Sequence, residues 1–325
     1  MDPTIKSFLG AIVFLTSAAS LIANIIVFGP IIRLATSKDA STIYVISIFN
    51  VINDIMNMCL SLFYLAPAII LNSFLFSEQK DGPGVIFVST IYTFGWYVGN
   101  ITQVIMSVNR LVVIVYRNSK FFTRRNILII FALTYVFALV KSYIVQYVLP
   151  CCKFIIDHRI LSYSYLPIEG VINYSDITDL FVNAPSSIIT IISYSMILHT
   201  IHKANKSISS NMNASNQKKR RNKELTYALQ FSFISMFYTI GWIMFRIYPL
   251  TFGGHGVGWY MLICLFNTCN CSANAFVYLT FNKEIIRQLQ VYNFPCYKQS
   301  SSTPYRTEST ASNRKMTTIS HVSDA

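Results

Sequence analysis

Asp54 is the residue whose type and position most clearly suggest chemistry, because it is the only carboxylate well inside the long apolar segments of this chain. An ionisable side chain at membrane depth is costly and is usually functional. The first apolar segment contains Asn24, and the last contains Asn270 and Asn274, about one helical turn apart. Oxygens of these types can bind Na⁺, or they can form a hydrogen-bonded cluster that only fixes helix packing. Both interpretations require the same residues to form one polar core.

A second pair of charges lies at one predicted membrane boundary. Arg110, which follows Asn109, ends the third apolar segment, and Glu224 begins the sixth. An ion pair between them would hold two helix ends together and could act as a switch. The alternative is that each charge reaches the interface independently, as long charged side chains do.

Two basic residues in the outer halves of apolar segments, Lys141 and Arg246, could bind an acidic ligand. Trp242 is 18 residues after Glu224, a whole number of turns at about 3.6 residues per turn. The two residues therefore share one face of a helix, and Arg246 lies one turn beyond Trp242 on that face. In the alternative, the two cations reach outward or pair with acids of the loop above, which are Glu169, Asp176 and Asp179.

Catalysis requires a set of reactive groups that this sequence does not contain. His199 and His202 lie at a predicted cytoplasmic end without partners, and no lysine falls between residues 257 and 281 to hold a retinal. The cysteines within apolar segments are typical packing residues. We expect no enzymatic activity, no cofactor and no metal site apart from the Na⁺ considered at Asp54.

Seven apolar segments must position these residues. The chain has 325 residues, of which 53% are hydrophobic and only 12% charged. Each segment exceeds the roughly 20 residues that a helix needs to cross the hydrocarbon of a bilayer. The predicted fold is an all-α, integral membrane bundle of seven helices, at about 8–33, 42–71, 85–115, 126–149, 180–202, 224–249 and 257–281. Residues 282–290 predict a short amphipathic eighth helix, which completes a transmembrane domain over 1–290.

The distribution of positive charge predicts the orientation of the bundle. With the N-terminus outside, the cytoplasmic segments hold 20 of the 26 lysines and arginines, and the outer segments hold four. Positive residues in short loops tend to stay cytoplasmic. We therefore expect a multi-pass plasma-membrane protein with an extracellular N-terminus and a cytoplasmic C-terminus. The net charge of +13 is then an orientation signal and does not indicate nucleic-acid binding.

The loops and tail offer candidate modification sites. Asn173 begins a glycosylation sequon in the longest outer loop, and Cys296 follows the amphipathic segment at a distance suited to palmitoylation. In the same outer loop, Cys151 and Cys152 either pair with each other or stay free. Residues 291–325 are rich in Ser and Thr and predict a disordered cytoplasmic tail.

These residues together resemble a G-protein-coupled receptor. The resemblance lies in Asn24, Asp54, Asn109-Arg110 and Asn274-Ala275-Phe276-Val277-Tyr278, and it covers all seven helices. More narrowly, Ser107-Val108-Asn109-Arg110-Leu111, Cys152-Lys153-Phe154, the basic run before Glu224, and Phe281-Asn282-Lys283-Glu284-Ile285 are similar to class X nematode serpentine chemoreceptors.

The resemblance implies a rhodopsin-like architecture and several residue roles. Trp242 would lie beneath the ligand pocket, and Arg110 would face Glu224 near the G protein. Asn274 and Tyr278 would belong to the activation switch. Asn109 replaces the acid that the wider family places before Arg110. We expect this replacement to give ligand-independent activity.

The function predicted from the sequence is chemosensory. A G-protein-coupled receptor would transmit an extracellular small-molecule signal, in our interpretation from an acidic ligand, to a cytoplasmic heterotrimeric G protein. The alternative is a membrane transporter or channel for a small acidic solute. Inverted repeats, broken helices or a file of pore-lining charges would indicate a transporter or channel, and the sequence shows none of them.

Overall fold

The computed structural model describes residues 2–37, 41–117, 120–166, 168, 170–208, 232–247, 251 and 257–291. Six helices in these ranges are long and apolar enough to cross a membrane, and a seventh is shorter within the described residues. They are α1 (Pro3–Thr36), α2 (Thr42–Leu71), α3 (Pro83–Ile114), α4 (Arg124–Val148), α5 (Tyr174–Ile208), α6 (Ser232–Ile247) and α7 (Met261–Phe281). The helix α8 (Lys283–Val291) follows α7 directly.

Local side-chain chemistry sets where these helices begin. The Asp2 carboxylate accepts a hydrogen bond from the backbone N–H of Thr4 and caps α1, with Pro3 in the first turn. The Thr123 hydroxyl caps α4 in the same way by accepting from the N–H of Asn126. Within α2 a π-helical turn at Ser61–Leu65 precedes Pro67, the residue that lacks a backbone donor.

The helix α5 begins at Tyr174, well before the predicted start near residue 180. The reason is that Asn173 caps the helix by accepting from the N–H of Asp176 at 2.9 Å. Asp176 and Asp179 then lie in its first turns with their charges satisfied by partners in the bundle. A hydropathy pattern places such polar turns in a loop, although they are helical.

A small β-hairpin lies in the predicted outer loop between α4 and α5. Strands β1 (Phe154–Asp157) and β2 (Ser162–Tyr165) are antiparallel, with Phe154 opposite Tyr165. Most of the hairpin is buried, and hydrogen bonds of its backbone attach it to two helices. The Ile156 N–H donates to the Ser89 hydroxyl at 3.1 Å, and the Gln146 amide donates to the Phe154 carbonyl at 2.8 Å. We call this end of the bundle the hairpin end.

The amphipathic helix α8 lies at the opposite end of the bundle. Ile285 and Leu289 are fully or almost fully buried, and they join the same apolar cluster as Ile31 and Ala35 of α1. Large apolar side chains elsewhere, such as Leu133 of α4, are exposed on the outside of the bundle. That surface fits lipid as its solvent, so the predicted all-α membrane bundle with an eighth helix is confirmed.

Candidate functional site

The main cavity lies directly beneath the hairpin, between α3, α5, α6 and α7. It has a volume of roughly 600 Å³, which includes space open to solvent. Ten of its eighteen lining residues are aromatic, so its walls are mostly flat and apolar. The lining residues are Tyr92, Thr93, Trp96, Phe154, Tyr163, Tyr165, Asp179, Asn183, Phe237, Tyr238, Gly241, Trp242, Phe245, Arg246, Ile263, Phe266, Asn267 and Asn270.

Stacked rings attach the hairpin to the cavity walls. Tyr92 of α3 stacks on Tyr163 with ring centroids 4.2 Å apart and on Phe154 at 5.6 Å. Phe245 of α6 meets Phe154 and Tyr165 at 6.1 and 5.7 Å. The hairpin is therefore the roof of the cavity. The sequence analysis missed these residues, although the three aromatic residues Phe154, Tyr163 and Tyr165 were a visible signal.

Asp179 joins three elements at the cavity wall. Both Tyr97 of α3 and Tyr165 of β2 donate hydrogen bonds to its carboxylate, one to each oxygen. Burial and the Asp179 charge raise the pKa of Tyr165 well above its usual range, so Tyr165 keeps its proton and remains a donor. The carboxylate thus holds the roof against α3 and α5.

Arg246 forms an ion pair with Asp176, one of the alternatives that the sequence left open. Its guanidinium donates to the Asp176 carboxylate and, at 2.9 Å, to the Asp176 carbonyl. One buried nitrogen of Arg246, Nε, has no partner among the described residues. The Trp242 Nε1 donor, one turn away on the same helix, is likewise buried and without a partner there. Both residues line the cavity, and ligand binding by Trp242 and Arg246 stays a prediction.

Lys141 does not line the cavity. Its ammonium lies 5.7 Å from the centre of the Tyr97 ring, and the Asp179 carboxylate attracts it electrostatically. Lys141 therefore lies next to the hydrogen bond between Tyr97 and Asp179. Direct ligand binding by Lys141 stays a prediction.

The polar core predicted around Asp54 comes together. The side-chain amides of Asn50 and Asn274 donate to the same carboxylate oxygen at 3.1 and 2.9 Å. Asn24 lies beside them and donates to the Cys271 carbonyl at 3.0 Å. Asn270 is placed where this core adjoins the main cavity.

A second, polar cavity of roughly 300 Å³ lies against this core and shares Trp96, Tyr238, Asn267 and Asn270 with the main cavity. Among its lining residues, the buried amide oxygens of Asn53, Asn57 and Asn270 have no hydrogen-bond partner within the described residues. The same holds for the amide oxygens of Asn24 and Asn274 in the adjoining core. A carboxylate with surplus amide oxygens suits a hard cation or water. The donor set fits Na⁺, and Na⁺ binding at Asp54 stays a prediction.

Four polar residues form a stripe along α7, which we call the α7 stripe: Asn267, Asn270, Asn274 and Tyr278. Their spacing of three and four residues places them on one face of the helix. At its far end the Tyr278 hydroxyl is 2.5 Å from the Ser47 hydroxyl of α2. The stripe therefore runs from the main cavity, past Asp54, toward α8.

The end of the bundle opposite the hairpin carries the other predicted switch residues. Arg110 is half-buried near the end of α3, and Asn109 is almost fully buried with its amide nitrogen unpaired among the described residues. Tyr44 of α2 donates to Glu284 of α8 at 2.5 Å. Glu224 and Cys296 lie outside the described residues, so the Arg110–Glu224 pair and palmitoylation stay predictions.

Two further predictions concern the loop at the hairpin end. Cys151 and Cys152 form a disulfide with each other, which was one of the two alternatives. The Asn173 side chain caps α5, and the Ser175 hydroxyl of the same sequon is buried against the Cys151 carbonyl. The sequon thus has a structural role in the folded chain, and glycosylation of Asn173 stays a prediction.

The seven-helix bundle, its roofed cavity and its polar core define a receptor of the G-protein-coupled class. Residues 14–282 match the model of the family described as "Serpentine type 7TM GPCR chemoreceptor Srx", and the chain belongs to this family. The fold is similar to the crystal structure of squid rhodopsin, with a TM-score of 0.72 and 15% sequence identity. That likeness covers 92% of this chain and 89% of the rhodopsin chain. No match is found among curated proteins.

Proposed function

We propose that this receptor binds an extracellular small molecule in the main cavity and transmits the signal to a cytoplasmic heterotrimeric G protein. The single observation that carries the proposal is the α7 stripe. Its first two residues line the cavity, its third bonds Asp54, and its fourth contacts Ser47 near the opposite end. The stripe therefore places polar side chains at successive depths along one face of α7, from the cavity to the far end of the helix.

The charge distribution supports the orientation that this role requires. By the sequence assignment, 20 of the 26 lysines and arginines belong to segments on the same side of the membrane as Arg110. The hairpin and the cavity would then face the extracellular side of the plasma membrane. Family membership supports a chemosensory role. We also propose that the protein has no catalytic activity.

The test is ligand-dependent nucleotide exchange. Purified receptor in lipid nanodiscs is mixed with heterotrimeric G protein and with excreted small molecules, and guanine nucleotide exchange is measured. Asn274→Leu interrupts the stripe and should abolish the stimulation, because Asp54 loses a donor. Phe276→Leu alters an exposed, lipid-facing side chain of the same helix and should leave the stimulation unchanged.

A transporter or channel would give a different result. Reconstituted in liposomes, it would move a small acidic solute down its gradient and would not accelerate exchange on any G protein. That pattern would remove the receptor proposal.

A further inference from the structure

The charges at the main cavity are already paired within the protein. Arg246 is the cation of the lining, and Asp176 holds it through an ion pair and a second bond to the Asp176 carbonyl. Asp179 is the lining anion, and it accepts from two tyrosine hydroxyls. An ionic ligand would lose its hydration on entering the cavity, and neither of these two charged residues offers it a free opposite charge in return. Burying such a ligand is therefore costly.

Two buried donors at the cavity have no partner within the described part of the chain. They are the Trp242 Nε1 and the Arg246 Nε atoms, one helical turn apart on α6. A buried donor without an acceptor is uncommon and destabilising. An acceptor oxygen of a bound molecule that reached either donor would satisfy it.

The remaining surface of the cavity favours flat rings. Trp96 and Tyr238 stack at 5.2 Å on one side, and the Tyr92–Tyr163 stack lies in the roof. Aromatic faces bind other aromatic rings by offset or edge contacts, in addition to burying apolar surface.

From these observations we infer that the cavity takes an uncharged, flat aromatic molecule with one hydrogen-bond acceptor, such as an aryl ketone or aryl amide. Its rings lie among the aromatic walls, and its acceptor oxygen accepts from Trp242 or Arg246. This inference rests on the proposed function and replaces the acidic ligand that the sequence suggested.

The experiment uses three probes of similar shape and different chemistry. They are 2-acetylnaphthalene, which is neutral with an acceptor, 2-isopropylnaphthalene, which has no acceptor, and 2-naphthoate, which is anionic. Calorimetric titration into the full chain in nanodiscs, corrected with empty nanodiscs for lipid partition, measures each affinity. The ketone should bind about tenfold tighter than the hydrocarbon, as expected for one net hydrogen bond, and naphthoate should bind weakest.

Variants connect the preference to particular residues. Trp242→Phe keeps a ring and removes the donor, so it should weaken ketone binding by up to about tenfold and leave hydrocarbon binding unchanged. Trp259→Phe, an exposed tryptophan outside the cavity lining, is the matched control. Asp176→Asn releases Arg246 and should strengthen naphthoate binding.

The comparison of the three probes on the wild-type chain decides the outcome even if a variant does not fold. Equal affinity for ketone and hydrocarbon, stronger binding of naphthoate, or no binding of any probe would each overturn the inference. None of these results bears on nucleotide exchange driven by another ligand, so the inference can fail while the proposed receptor function stands.

Discussion

Asp54 organises the middle of the bundle through two amide donors on one of its oxygens. Asn50 lies on its own helix, and Asn274 comes from α7, so the carboxylate joins two helices. All three side chains are buried. Removing the acceptor leaves both donors unsatisfied in a place where water is scarce.

Asp54→Ala should lower the free energy of unfolding by about 1–3 kcal/mol for each unsatisfied donor. Asp54→Asn keeps an acceptor oxygen at nearly the same position and should lose clearly less. Thermal unfolding of the detergent-purified proteins measures both effects. Equal losses in the two variants would mean that the hydrogen bonds do not hold the helices together.

Asn109→Asp should reduce ligand-independent nucleotide exchange by about fivefold, the factor that corresponds to roughly 1 kcal/mol. The new carboxylate would lie next to Arg110 and add a charged restraint on it. Asn109→Leu removes the amide without adding charge and is the control. Wild-type receptor with no basal exchange would contradict this account of Asn109.

Asp54 and Asn274 of the polar core could be predicted from the sequence, whereas the second donor to Asp54, Asn50, and the ion pair of the cavity could not. An acid inside an apolar segment is conspicuous because burying it is costly. Which acid pairs with Arg246 depends instead on where α5 begins. The sequence left three acids as candidates, and the cap at Asn173 is what brings Asp176 to that position.

The β-hairpin is the element that closes the cavity. Its contacts with α3 and α5 meet at Asp179, where Tyr165 of β2 and Tyr97 of α3 both donate. A second region of contact lies at its turn, where His158 packs edge-on against Phe74 with ring centroids 4.4 Å apart.

Tyr165→Phe should make the hairpin open more often. The lost hydrogen bond to a carboxylate is worth about 1.5–3 kcal/mol, which corresponds to roughly tenfold to a hundredfold in the opening equilibrium. Hydrogen–deuterium exchange of backbone amides 154–165 should accelerate accordingly. Tyr147→Phe removes a tyrosine hydroxyl on the exposed side of α4 and should leave hairpin exchange unchanged. Unchanged exchange in Tyr165→Phe would show that the stacked rings alone hold the roof.

The hairpin turn should loosen as pH falls from about 6.5 toward 4. Burial, with the nearby positive charge of Lys6, lowers the pKa of His158 to about 4. The docked state therefore keeps His158 neutral, whereas an undocked turn would protonate near the ordinary value of about 6.5. Because the undocked state binds more protons in this interval, acid favours it.

Two charged neighbours of His158, Asp157 and Arg159, do not change their protonation in this interval. Burial opposes ionisation of Asp157, but its bonds to Arg159 hold the pKa of Asp157 below its usual range. The contribution of Asp157 is therefore complete above about pH 4 and does not change between pH 7.5 and 5. Arg159 stays charged throughout, because its bonds to Asp157 raise its pKa.

The pH effect is measured as hydrogen–deuterium exchange of the hairpin at pH 7.5 and 5.0, after correction for intrinsic rates. His158→Phe should remove the acid-dependent part, and His199→Gln, an exposed histidine, should retain it. Identical pH dependence in wild type and His158→Phe would exclude His158 as its origin.

The apolar helices could be predicted closely from the sequence, and the hairpin could not. The predicted second helix, 42–71, has the bounds Thr42–Leu71 in the structure, because a span in lipid is set by the length of an apolar run. The strands are only four residues each, and they contact α3, α4 and α6 through Ser89, Gln146 and Phe245. Such tertiary contacts leave little signal in a local pattern.

At the scale of the whole molecule, the two ends of the bundle carry different chemistry. The hairpin end holds an aromatic cavity with its charges paired, and the opposite end carries Arg110, Asn109 and the contact between Tyr44 and α8. The α7 stripe lies between them. This division is what a receptor requires, since recognition and coupling are separated by the membrane but joined by one helix.

The central claim is tested most directly by measuring nucleotide exchange and solute flux on the same reconstituted protein. Wild-type receptor in liposomes, with heterotrimeric G protein on the side of Arg110, should accelerate exchange above the rate with empty liposomes and should carry no flux of small acidic solutes. Flux of such a solute without acceleration of exchange on any G protein would contradict the claim.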